Sequence, residues 1–164
     1  MSISVNLRYL CKRNAIILFT TIILTAMAFA AGRKTSEKGV LPMKVNIQID
    51  NGVSKSTLTA TLYDNSSSRA LVELLQNGSI TIDMHDYGNF EKVGTLPKSL
   101  PRNDRQITTE AGDIILYQGN QITFYYDTNS WNFTLLGKID GVTKEELKKI
   151  LGKGNVTSVL SISK

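Results

Sequence analysis

Residues 106–141 read QITTEAGDIILYQGNQITFYYDTNSWNFTLLGKIDG, and this stretch predicts the fold. Two runs rich in β-branched and aromatic residues, 113–117 and 121–126, flank the pair Gly119-Asn120. A two-residue connection that begins with glycine is typical of a tight β-hairpin, because glycine adopts positive φ without steric cost. The stretch therefore predicts two antiparallel strands joined by a short turn.

The hairpin is apolar on both of its faces. With Gly119 and Asn120 at the centre of the turn, Ile115 pairs with Phe124, and alternation then fixes the two faces. One face carries Ile115, Tyr117, Ile122, Phe124 and Tyr126. The opposite face carries Ile114, Leu116, Thr123 and Tyr125. Since neither face suits full exposure to water, the hairpin is expected in a sheet covered on both sides, such as a small barrel.

The rest of the chain supplies more strands and two short helices. Alternating apolar residues predict strands over 43–50, 53–62, 79–84, 131–139 and 155–162, with Asn51-Gly52 as a second hairpin turn. Helical spacing predicts short helices over 69–76 and 144–151, and Thr143 and Glu146 form a capping box at the start of the second. Periodicity stops over 85–105, which predicts a long loop. The sequence thus predicts a mainly β fold, a closed barrel of about eight strands with two helices.

The N-terminal 30 residues have the pattern of a signal peptide. Three basic residues precede an apolar run, and Ala28-Phe29-Ala30 supplies the small-x-small pattern of a cleavage site. We therefore expect residues 1–30 to direct export to the periplasm or outside the cell, 31–42 to be a linker, and 43–164 to be the folded domain. The alternative is that the apolar run stays uncleaved and anchors the chain in a membrane, which would be its only membrane contact.

Charge and cysteine content narrow the classes of function. Three of the 19 lysines and arginines lie in residues 1–30. Residues 31–164 therefore contain 16 basic and 14 acidic residues, a net charge of +2. The sole cysteine, Cys11, also lies there. The domain therefore lacks the basic excess of a nucleic-acid-binding protein, and thiol chemistry and disulfides are excluded from it.

A series of motifs in the second half of the chain is similar to the bacterial cyclophilin-like fold family. These motifs are DYGNFEKVG at 86–94, LPKSLP at 96–101, QITT at 106–109, GDI at 112–114, LYQGN at 116–120 and NSW at 129–131. The resemblance extends over about 43–163 and implies an eight-stranded barrel with two helices, shared with the peptidyl-prolyl isomerases. The chain lacks the Phe-His-Arg and Gln-Gly-Gly-Asp segments that line the proline pocket of true cyclophilins, so isomerase activity is not favoured and the family implies no assigned activity.

The residues expected to line a cleft come from the predicted loop and from the aromatic strands. They are Phe90, Glu91, Arg102, Arg105, Tyr126 and Trp131, with the segment 90–105 as one wall. In an isomerase, an arginine would weaken the amide resonance that creates the barrier of roughly 18–20 kcal/mol. The alternative is that both arginines are solvated and pair with Asp104 or Glu91.

The sequence also bears on acid-base chemistry, on metal and cofactor binding, and on aromatic stacking. His85 and Tyr87, with Asp83, Asp86 and Glu91 nearby, form a potential acid-base cluster, for which the alternative is a solvated strand end. With a single histidine and no cysteine in the domain, we expect no metal, and no motif indicates a cofactor. Trp131 and the tyrosines Tyr117, Tyr125 and Tyr126 could stack against a ligand, although core packing explains most of them, and Tyr125 is the tyrosine best placed to bind.

These observations lead to three hypotheses of function. The first is an exported module that binds a peptide or a small molecule. The second is a divergent peptidyl-prolyl cis–trans isomerase, and the third is a structural domain that contacts a protein partner.

Overall fold

The computed structural model describes residues 43–163, so the predicted signal peptide and linker lie outside the described residues. Nine strands and two helices follow one another in this part of the chain. The strands are β1 Met43–Asp50, β2 Lys55–Leu62, β3 Ile80–Tyr87, β4 Glu91–Thr95, β5 Arg105–Thr108, β6 Asp113–Tyr117, β7 Gln121–Tyr125, β8 Ser130–Ile139 and β9 Val156–Ile162. The helices are α1 Ser66–Gln76 and α2 Lys144–Leu151. None of the described helices is long and apolar enough to cross a membrane.

Eight of the strands close into an antiparallel barrel, which confirms the predicted fold class. The strands are paired in the order β2-β1-β9-β3-β4-β7-β6-β8, and β8 also pairs with β2. At this closing contact Ala60 lies opposite Ile139 and Leu62 opposite Gly137. A Cβ atom on Gly137 would collide with the carbonyl oxygen of Thr61, so glycine permits the close approach of the two strands. The ninth strand, β5, pairs only with the first half of β8.

The apolar core fills the barrel and continues under the helices. Alternation along β1 buries Val45, Ile47 and Ile49, each at most 1% exposed. Helices α1 and α2 add Leu71, Leu75, Leu147 and Leu151 to the same cluster. The two helices therefore cover apolar surface that the barrel alone would leave open.

The helices begin where capping side chains satisfy free backbone N–H groups. The side chain of Asn65 accepts a hydrogen bond from the backbone N–H of Ser68, so α1 begins at Ser66, three residues before the predicted start. Thr143 and Glu146 form the predicted capping box at the start of α2. Gly152 follows the helix with a φ of 60°.

The predicted register of the β6–β7 hairpin is wrong by one residue. Tyr117 pairs with Gln121, not Ile122, because the loop has three residues, 118–120. Positive φ falls on Gln118 (51°) and Gly119 (84°), so the turn begins one residue earlier than Gly119-Asn120. A shift of one residue moves every β6 side chain to the other face. As a result Ile114 and Leu116 belong to the barrel core, whereas Ile115 and Tyr117 face outward.

The predicted long loop over 85–105 is also wrong. β3 continues to Tyr87, and β4 pairs with β3 on one side and with β7 on the other. β4 is therefore a strand of the barrel wall. Apart from the turn at 88–90, only 96–104 remains irregular, and hydrogen bonds hold it in place. The N–H of Leu100 donates to Gly119 O over 2.7 Å, and the hydroxyl of Ser67 in α1 donates to Pro101 O over 2.6 Å.

Candidate functional site

Side chains from five neighbouring strands project from one outer face of the barrel. Residues opposite each other in an antiparallel pair project to the same face. The register therefore aligns Tyr87 with Glu91, Glu91 with Tyr125, and, on the next strands, Tyr117 with Gln121. Side chains from β3, β4, β7, β6 and β8 thus meet on one outer face of the barrel.

Five aromatic rings on this face contact one another in a chain. Phe90 stacks on Tyr125, with ring centroids 5.9 Å apart and planes 13° apart. Tyr87 meets Phe90 edge-on, while Phe133 contacts both Tyr125 and Tyr117 at 5.8 and 5.9 Å. The middle of this chain is buried although it lies outside the barrel, because Tyr125 is 1% and Phe133 4% exposed. It forms, with Ile115, the centre of a second apolar cluster.

A pocket of about 360 Å³ opens beside the aromatic chain. We call it the outer-face pocket, and its lining residues are His85, Tyr87, Glu91, Val93, Tyr117, Gln121, Tyr125, Asn129, Trp131 and Phe133. Trp131 and Tyr87 are more than half exposed, and buried Tyr125 and Phe133 also line it. Aromatic walls with a few polar groups are typical of ligand sites.

Glu91 is the one acidic side chain in the pocket lining, and it lacks a complete set of partners. It is 8% exposed, and among residues 43–163 its Oε2 atom has no hydrogen-bond partner. Burial raises the pKa of Glu91, although the hydroxyl of Tyr125, the imidazole of His85 and the hydroxyl of Thr123 act in the opposite direction. Burial and the neighbouring carboxylate in turn raise the pKa of Tyr125. The pocket therefore contains a buried carboxyl group that forms no ion pair with a lysine or arginine among residues 43–163.

The structure brings two of the six predicted cleft residues to the pocket lining, Glu91 and Trp131. Phe90 lies behind them, stacked on Tyr125. Arg105 occupies the β5 position opposite Phe133, so it lies on the same face and is exposed.

The other two lie elsewhere. Arg102 forms an ion pair with Asp104, which was the alternative considered for it. Tyr126 turns to the barrel side of the sheet, where its hydroxyl donates to Asp86 over 2.8 Å. Most of the segment 90–105 does not line the pocket, because only Glu91 and Val93 of that segment reach it.

The potential acid-base cluster is divided by the sheet. His85, Tyr87 and Glu91 lie on the outer face and line the pocket. Asp86, between them in sequence, lies on the other face and pairs with buried Lys92 over 2.6 Å. Asp83 shares the exposed face of β3 with His85, but it accepts a hydrogen bond from Thr157 and does not line the pocket. No group of three or more His, Cys, Asp or Glu within 43–163 is placed to hold a metal ion.

Three lining residues were not predicted as part of a site, namely Gln121, Asn129 and Phe133. Alternation would have grouped Glu91 and Val93 with His85 and Tyr87 if the turn at Gly88-Asn89 had been recognised. Both of those turn residues have a φ of 58°, which is typical of a hairpin loop.

Fold and site together define a closed antiparallel barrel with an aromatic pocket on its outer surface. A family model described as the cyclophilin-like family matches residues 47–161, and the chain therefore belongs to the cyclophilin-like family, as its motifs indicate. No curated protein matches the chain.

Proposed function

We propose that this chain is an exported module that binds a peptide or a small molecule in the outer-face pocket. The observation that carries the proposal is the pocket itself, in which aromatic walls surround a buried carboxylate with an unpartnered oxygen. Ligand sites combine apolar walls with a few polar groups that orient the ligand, and buried polar atoms in proteins almost always have partners. A bound ligand would supply the missing partner.

Another depression on the described surface suits this role less well. It has a volume of about 660 Å³, lies beside Asp50, Asp83 and Thr157, and has no tyrosine, phenylalanine or tryptophan in its lining. Asp83 and Asp50 already accept hydrogen bonds, from Thr157 and from the backbone of Gly52. Its acidic groups therefore have partners, unlike Oε2 of Glu91.

The binding proposal is tested by capture of peptides. The immobilised domain is incubated with a pool of randomised peptides, and the retained peptides are identified by mass spectrometry. We expect wild type to enrich a subset that Tyr117→Ala does not, because this change removes one pocket wall. Tyr63→Ala is the matched control, since Tyr63 is 44% exposed and does not line the pocket. Equal retention by wild type and Tyr117→Ala would place binding elsewhere and favour the structural hypothesis.

The second candidate function is peptidyl-prolyl isomerisation, and the position of Arg105 favours it. Arg105 lies on the pocket face opposite Phe133, so a guanidinium is present next to an aromatic site. A donor placed on the amide would lower a barrier of about 18–20 kcal/mol. The expected result is faster cis–trans exchange of an X-Pro peptide, measured by exchange NMR and lost in Arg105→Ala but not in Arg102→Ala. An exchange rate unchanged at high protein concentration would exclude this activity.

A further inference from the structure

We propose that the outer-face pocket selects a ligand carrying a cationic nitrogen with N–H donors, such as the ammonium of a lysine side chain or an alkylamine. This inference rests on the proposed function and specifies the chemical class of the ligand. Three features of the pocket lead to it: a hydrogen-bond acceptor, the charge of Glu91 and the aromatic walls.

The first feature is the free acceptor at the pocket. Glu91 lines the pocket and is 8% exposed, and its Oε2 atom has no hydrogen-bond partner among residues 43–163. An ionised carboxylate accepts hydrogen bonds only, so a ligand that pairs with ionised Glu91 must donate one.

The second feature is the uncompensated charge. The ion pairs of the described residues do not include Glu91, although nine pairs link other carboxylates to lysine or arginine. Of the groups that face it, His85 and Tyr87 come from β3, Tyr117 from β6 and Tyr125 from β7, and none of the four is a lysine or arginine. Arg105 on β5 is the basic residue on this face, and it is exposed and forms no ion pair there. A cationic ligand would therefore meet a carboxylate that has no lysine or arginine partner.

The third feature is the aromatic lining. Tyr117, Tyr125, Phe133 and Trp131 surround the pocket, and the faces of such rings attract cations. The aliphatic stem of a lysine side chain or an alkylamine packs against the same rings. A neutral apolar ligand would use the walls but leave the Glu91 oxygen without a partner.

The test compares two probes that differ only in the cationic group. N-acetyl-lysine-methylamide carries the ammonium, and N-acetyl-norleucine-methylamide has the same four-carbon side chain with a hydrogen in place of the ammonium. Trp131 is the only tryptophan of the chain and lies in the pocket lining, so its fluorescence reports binding directly. We expect the lysine probe to bind about 10- to 100-fold more tightly, the usual effect of a hydrogen bond to a charged group.

The variant Glu91→Gln keeps the shape of the side chain and removes its charge. We expect it to abolish the preference for lysine over norleucine, whereas Glu73→Gln, an exposed glutamate on α1, should leave the preference intact. A merely structural role of Glu91 would change the affinity for both probes equally.

n-Butylammonium distinguishes the two sources of the cation. Binding as tight as that of the lysine probe indicates a free amine, and much weaker binding indicates a peptide side chain.

Two results would overturn the inference. If norleucine binds wild type as tightly as lysine, the pocket has no preference for cations, while retention of peptides by the pocket would still support the proposed function. If neither probe changes the fluorescence of Trp131, cation selection is wrong, and the peptide-capture experiment decides the proposed function independently.

Discussion

Lys92→Met is expected to lower the free energy of unfolding by about 3 kcal/mol, and thus the melting temperature by roughly 10 °C. Lys92 lies on β4 opposite Phe124, so its side chain enters the barrel, and it is 0% exposed. A lysine is almost never fully buried unless its ammonium is paired. The contacts of the Nζ atom therefore determine what the substitution removes.

Three hydrogen bonds satisfy the buried ammonium. Nζ donates to Asp86 Oδ2 over 2.6 Å, to Gly154 O over 2.7 Å and to Gly152 O over 3.2 Å. Partial burial alone would raise the pKa of Asp86, but the hydrogen bonds from Lys92 and Tyr126 more than offset it and lower that pKa. Lys92 thus joins β3 and β4 to the residues that follow α2. Methionine fills the same space but leaves two carbonyl groups and a carboxylate without this donor.

Lys144→Met is the matched control, because Lys144 also forms an ion pair of 2.6 Å, with Asp127, but at an exposed site. Exposed pairs contribute about 0–1 kcal/mol, so this variant should melt close to wild type. Thermal unfolding followed by circular dichroism measures all three proteins. Equal melting temperatures for Lys92→Met and Lys144→Met would show that the buried ammonium does not stabilise the barrel.

The closed barrel could be predicted because its signal is local. The β6–β7 hairpin is apolar on both faces, and a sheet covered on both sides follows from that pattern whatever the register. The register itself could not be read from Gly119-Asn120, since Gln118 adopts positive φ as a non-glycine residue. A single unexpected backbone conformation therefore changed which β6 side chains face the core.

The site was harder to predict because β4 lacks the apolar residues that a strand usually has at its core-facing positions. Its inward positions are occupied by Lys92 and Gly94, and its outward positions by Glu91 and Val93. Gly94 is required there because a Cβ atom would collide with the side chain of Ile82. A lysine and a glycine at core positions hide the strand from any search for alternating apolar residues. Trp131 and Glu91 were predicted individually, but their meeting depends on pairing across several strands.

Glu91→Gln is expected to stabilise the ligand-free protein at neutral pH, by about 1 kcal/mol, or a few degrees in melting temperature. Burial raises the pKa of Glu91 in the folded protein. Wild type therefore loses stability as the pH rises from the pKa of Glu91 in the unfolded chain through its higher pKa in the folded protein. The glutamine side chain carries no charge and does not incur this loss. Below about pH 4.5, the reference value for glutamate, both side chains are neutral and the two proteins should melt alike.

The pH dependence separates a binding group from a structural one. Thermal unfolding of wild type, Glu91→Gln and the control Glu73→Gln at pH 4 and pH 7 gives the comparison. A ligand that binds only the folded state raises its stability, so saturating lysine probe should raise the melting temperature of wild type at pH 7 and have a much smaller effect on Glu91→Gln. If Glu91→Gln instead melts below wild type at pH 7, the carboxylate stabilises the ligand-free barrel. Its charge then has a structural role, which would contradict the inference that it serves to bind a ligand.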